Sequence, residues 1–261
     1  MCTTTANTGT ITIASIVTVT SDGALSTGGV KDCASAVQIA RLLQFGDSIL
    51  PVGAFSFSGG IESAVQQGVV RDLASLREFV RTAVDQAASG DGIGLIAAHR
   101  AALALDVDRL SAIDQAMMNR KLSDETRAMS ERLGKKLTQL ASRVAPSPLI
   151  TEWLAHILER RTPGTYAASL AVLFASVGLT EREAFVAHQY GVATTVLSAA
   201  LRLMKVDHND TQALLFEINS RCGDAYEHAA GARLEDMCGY APMVEILAAV
   251  HAKAHVRLFM N

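Results

Sequence analysis

Residues 47–62 read DSILPVGAFSFSGGIE, and what leads into this stretch decides the fold. It holds one proline, three glycines, three serines and two phenylalanines. Ser56-Phe57-Ser58-Gly59-Gly60 comes near the Gly-x-Ser-x-Gly elbow of a hydrolase, which needs a hydrophobic strand ahead of it so that a strained turn can lift the serine oxygen off a sheet. No such strand precedes it. Ala36, Val37, Ala40, Leu42 and Leu43 recur at helical spacing, so the stretch connects helices.

Downstream the helical period dominates. Leu73, Leu76, Phe79, Val80, Ala83, Val84 and Ala87 follow the i, i+3, i+4, i+7 rule behind a cap at Asp72, and Gly90 is read as the end of that helix. Met129, Leu133, Leu137 and Leu140 form a second stripe, started by Ser123 and stopped by Pro146 and Pro148, with Arg127, Glu131, Arg132, Lys135 and Lys136 on the other face. Tyr166 to Val177 is apolar throughout and predicts a buried helix. Thr180-Glu181-Arg182-Glu183 fits a capping box, predicting a long helix to about Lys205. Leu214, Ile218, Cys222, Ala225 and Ala229 describe another helix, ending at Gly231, and Pro242 opens the last. The expectation is an all-α fold: a single bundle-like domain of roughly eight to ten helices over residues 31–261, behind a flexible, threonine-rich extension over residues 1–30.

Composition narrows the function. A net charge of −3 draws the chain neither to nucleic acid nor to an anionic membrane. Hydrophobic residues make up 49%, with a mean hydropathy of +0.24. No segment reaches the ~20 apolar residues that span a bilayer, so the surplus points to interfaces with partners. Cys2, Cys33, Cys222 and Cys238 are far apart without C-x-x-C spacing, which suits a reducing compartment. The first residues lack the pattern of a secretory signal. The expected location is the cytoplasm.

No catalytic residue, cofactor or metal site is assigned. Gly90-Asp91-Gly92-Ile93-Gly94 follows an amphipathic helix rather than a strand, and is read as an interhelical turn rather than a phosphate loop. His251 and His255 sit four apart, which puts two imidazoles on one helix face, but a metal site needs a further ligand. His188 lies in an apolar stripe and reads as a core histidine bonded to a carbonyl. Two other functions stay open from the residues alone: a serine hydrolase using Ser58 with a histidine such as His188, and a helical metal-binding protein using His251 and His255.

Three blocks of sequence resemble one family. LPVGAFSFSGGIESAVQQGVV (50–70), ETRAMSERLGKKLTQLA (125–141) and the terminal HVRLFMN (255–261) are similar, in this order, to blocks of the urease accessory protein F family, UreF. The chain departs from the family's usual pattern at Met204-Lys205-Val206-Asp207-His208 and at His255-Val256. The resemblance implies a helical protein that is not itself an enzyme. It implies a homodimer that joins the D (or H) accessory protein and the G GTPase in a complex loading nickel into apo-urease, and that regulates the GTPase. Partner contacts are then expected at Pro51, Gly53, Phe55, Ser56, Gly59, Gly60 and Glu62, and at His251, Arg257, Leu258 and Phe259. In the first of these blocks Pro51 would fix the backbone, the glycines would permit special turns, and Ser58 would cap the helix bearing Glu62. The terminal segment from His251 is expected to be a docking element rather than part of the core.

Overall fold

Most helix starts among the described residues are marked by a serine, threonine or aspartate whose oxygen accepts an amide that the first turn leaves unpaired. The computed structural model describes residues 35–47, 50–53, 56–239, 241, 243, 246–247 and 258–259. In chain order the helices are α1 (Ala36–Gly46, capped by Ser35), α2 (Ile61–Gln66), α3 (Leu73–Ala87, capped by Asp72), α4 (Ile93–Leu103) and α5 (Val107–Asn119, capped by Asp106). Then follow α6 (Asp124–Val144, Ser123), α7 (Pro148–Leu158, Ser147), α8 (Tyr166–Ser176, Thr165), α9 (Glu181–Leu203, Thr180), α10 (His208–Asn219, Asp207) and α11 (Cys222–Gly231). All but the six-residue α2 have ten or more residues, and no strand occurs among the described residues. The fold is all-α.

Two boundaries differ from the sequence reading. Residues 90–94 are not a turn: α3 runs through a π-helical stretch, Ala88–Gly92, directly into α4. The glycines there serve close packing, since a methyl group on Gly92 would lie 2.7 Å from the Phe185 ring and one on Gly94 would lie 2.4 Å from Met117. The stripe from Leu214 to Ala229 is divided between α10 and α11. Pro242 and residues 1–30 lie outside the described residues.

The centre of the bundle is α8, whose residues 167–174 are all buried, so that α4, α6 and α9 pack on different sides of it. A helix apolar all round can only be internal. The core forms two clusters, one built mainly from α4 to α8 and the other from α2, α3, α10 and the C-terminal half of α9. α9 contributes Ala184 and Phe185 to the first and Ala193, Val196 and Ala200 to the second, and so joins them.

One buried carboxyl group fixes the entry to α8. Asp114, fully buried on α5, accepts from Thr162 Oγ1 (2.6 Å), Gly164 N (2.6 Å), Thr165 N (2.9 Å) and Thr165 Oγ1 (2.5 Å). The same turn presses on α6, where a methyl group on Gly134 would meet the Gly164 carbonyl oxygen at 2.0 Å. Asp114→Ala leaves four buried donors without their acceptor, so it is expected to cost roughly 3–5 kcal/mol. Thermal melts should show the midpoint falling by about 10 °C, with Asp114→Asn intermediate because it keeps one acceptor. A D114A midpoint within a degree or two of the parent would contradict this role.

Candidate functional site

The glycines of the 47–62 stretch occupy conformations that side chains resist. Gly53, Gly59 and Gly60 have φ of 89°, 62° and 85°, all in the left-handed region. Gly60 is the N-terminal cap of α2 and lends it no side-chain bond. Ser58 therefore does not cap that helix, contrary to the sequence reading. The left-handed turns instead drive Val52, Phe57 and Ser58 inward while Pro51 stays exposed. Ser56 is partly exposed, and Phe55 lies outside the described residues.

Segments remote in sequence meet this loop. A methyl group on Gly53 would lie 3.4 Å from Lys136 Nζ on α6, and one on Gly59 would lie 3.2 Å from Val196 on α9. Glu62, only 1% exposed, accepts from the amides of Leu258 (2.8 Å, to Oε1) and Phe259 (3.2 Å, to Oε2) near the C-terminus. Phe259 is buried in the second core cluster under the guanidinium of Arg202, 4.5 Å from its ring centre, whereas Leu258 is 72% exposed. The expectation that the terminal segment stands apart from the core is thus corrected at Phe259. Its backbone amide donates to the buried Glu62 carboxyl group and its ring packs in the core, while Leu258 stays on the outside. His251, His255 and Arg257 lie outside the described residues.

Between the loop, α6 and α9 lies a cavity of about 400 Å³. Leu50, Val52, Phe57 and Gly59 form one wall, and Met129, Ser130 and Leu133 of α6 form another. At its inner end Lys121 Nζ donates to both oxygens of Asp91 (2.9 and 2.7 Å). Burial pushes the Asp91 carboxyl up, but the Lys121 ammonium beside it outweighs this and holds the group below its ordinary range. His188, on α9, is 4% exposed; burial holds its pKa below the usual imidazole value, so it is kept neutral. Its Nδ1 is 3.4 Å from Gln189 Nε2, so the side-chain amide, not the carbonyl read from sequence, is its partner. Burial raises the Tyr166 hydroxyl to about 12, which also keeps that group uncharged.

The described residues do not assemble the hydrolase or metal site considered from sequence. Ser58 is fully buried behind the loop, a poor position for a nucleophile that must meet substrate. Cys222 and His228 line a second cavity, of about 540 Å³, with Cys238. Among the described residues no three His, Cys, Asp or Glu side chains lie close enough to hold a metal ion. No helix among them is long and apolar enough to cross a membrane.

Comparison with known proteins fits this geometry. A family model described as UreF matches residues 70–219. "Urease accessory protein UreF 2" of Brucella canis is 54% identical over 223 residues, covering 85% of this chain and 92% of that protein. "Urease accessory protein UreF" of Yersinia enterocolitica is 52% identical over 227 residues, covering 87% of this chain and all of that protein. The chain belongs to the UreF family of urease accessory proteins.

In this UreF chain the family-model match runs from just ahead of α3 to the end of α10, and takes in α6. The 50–62 loop and the terminal block fall outside that match, yet the fold sets both beside it. Lys136 of α6 lies beside the loop at Gly53, and Glu62 joins the loop to the chain end. No periodicity could reveal these contacts, because Glu62 and Phe259 are 197 residues apart.

Two sets of variants check the site. Gly60→Val forces a β-branched side chain into φ 85° and is expected to cost several kcal/mol, roughly 2–4. Gly59→Val adds contact with Val196 and should be at least as harmful. Replacing His251 or His255 should damage folding less. Phe259→Ala should lower stability by about 3 kcal/mol, and Leu258→Ala should leave it within about 0.5 kcal/mol. Denaturant titrations decide: equal effects at positions 258 and 259, or valine variants as stable as the parent, would show that the loop and the chain end are not held as described.

Proposed function

We propose that this protein is a non-catalytic scaffold of urease maturation. It bridges the D (H) accessory protein and the G GTPase in the complex that inserts nickel into apo-urease, and it sets the activity of the GTPase. It acts in the cytoplasm as a homodimer, in which the surplus apolar surface is covered. The observation that carries this reading is the convergence of three blocks distant in sequence, 50–62, α6 and 258–259, on one side of the bundle. A catalytic site needs reactive groups around a substrate; here the converging groups are glycines in fixed turns, a buried carboxylate and an exposed leucine beside a buried phenylalanine. Such an arrangement holds a surface in shape.

Within that surface Pro51, Gly53, Phe55 and Ser56 present the loop, and Gly59 and Gly60 set its path. Glu62 acts from beneath by tying the chain end to α2. Leu258 is the outward contact, with His251 and Arg257 in the same terminal segment, and Phe259 anchors it.

Co-expression with the D and G proteins tests the reading. The chain should co-purify with both, the association with G should depend on guanine nucleotide, and light scattering of the chain alone should give twice its mass at micromolar concentration. Leu258→Ala should weaken capture of the D protein while the thermal midpoint stays unchanged. A chain that purifies as a monomer and binds neither protein, with or without nucleotide, would overturn the proposal.

A further inference from the structure

The exposed face of α6 carries cations that form no ion pair among the described residues. Arg132, Lys135, Lys136 and Arg143 recur at i, i+3, i+4 and i+11, which places them on one side of the helix, and all four are exposed. Eleven residues of α-helix extend roughly 16 Å. Among the described residues none of the four takes part in an ion pair or a side-chain hydrogen bond. Arg127, on a different side of α6, donates to the Lys121 carbonyl instead.

Like charges three and four apart weaken a helix, and a merely solvated face relieves this by interleaving acids. This face interleaves none: Glu131 borders it four residues before Lys135, and from Arg132 to Arg143 no acidic residue intervenes. The chain as a whole carries −3, so a row of four cations is charge set apart rather than a sample of the average surface. The row also passes the loop, since Lys136 Nζ lies beside Gly53 and Pro51 is exposed next to it. A partner on this side of the bundle would meet the cations and the loop together.

We infer that this face of α6 docks a protein surface rich in carboxylates, an inference that rests on the accessory-protein reading above and specifies how one of its contacts is made. A protein is favoured over a polyanion for two reasons. The stripe carries no aromatic side chain on which bases could stack, and the net negative charge of the chain repels an extended polyanion beyond the immediate contact. Charge complementarity of this kind steers encounter and selects partners, as an assembly factor meeting several proteins requires.

The test uses the full chain with Arg132→Glu, Lys135→Glu and Lys136→Glu together. Arg143 is kept because it lies in the last turn, where a cation favours the helix. The probes are the purified D protein, the G GTPase and apo-urease, each titrated separately. For one of them the reversed variant should bind at least about tenfold more weakly than the parent, with an unchanged thermal midpoint. Parental binding to that protein should weaken between about 50 and about 300 mM salt. A charge-preserving R132K/K135R/K136R variant should bind as the parent does. If the reversed variant folds poorly, R132Q/K135Q/K136Q carries the same test, with a smaller loss expected.

Equal affinity of parent and charge-altered variants for all three proteins would overturn the inference while leaving the scaffold reading intact. So would a loss confined to duplex DNA or to phosphatidylserine vesicles. A parent chain that binds none of the three proteins would sink both.

Discussion

The four hydrogen bonds that converge on Asp114 fix the turn from Thr162 to Thr165, and most of the bundle is arranged around what that turn begins. It launches α8, the one helix among the described residues that is buried along its whole middle, and it presses the Gly164 carbonyl against α6 at Gly134. Any side chain at Gly134 would push α6 away from the bundle. Because glycine at 134 lets α6 come this close, its Lys136 lies beside Gly53, and Met129, Ser130 and Leu133 close one wall of the cavity behind the loop. A buried carboxyl group thus determines, through one close helix contact, where an exposed surface is presented.

Glu62 does for the chain end what Asp114 does for α8. A carboxylate removed from water needs donors, and two of those it finds are the amides of Leu258 and Phe259. With the backbone held there, the Phe259 ring turns inward beneath Arg202 and Leu258 turns out. The residues that resemble the family's terminal block therefore bury one side chain, Phe259, in the core and leave its neighbour, Leu258, exposed. This is why a role for them in the core and a role at the surface are not alternatives.

Much of the fold was legible in the sequence because helix starts are local events. Asp72, Ser123 and Thr180 accept amides three residues on, within reach of a one-dimensional reading, and each begins a helix where expected. The uniformly apolar run of α8 was equally plain. The glycines from Gly90 to Gly94 misled, since a glycine that admits Phe185 or Met117 looks in sequence like one that breaks a helix. Ser58 misled in a similar way: a serine three residues ahead of a helix resembles a cap, but left-handed turns at Gly59 and Gly60 carry it inward. The partners of Asp114 and Glu62 had no local signature at all. The candidate surface was recognisable as three family-like blocks, and only the fold puts them side by side.

The central claim is that the loop at 50–62, the exposed face of α6 and the chain end at 258–259 act as one surface. Hydrogen exchange followed peptide by peptide, on the chain alone and in complex with the D and G accessory proteins, tests it most directly. If the account holds, amides of all three segments slow together on complex formation, while the buried middle of α8 exchanges as slowly before as after. Protection confined to a face that contains none of the three segments, or to only one of them, would contradict it.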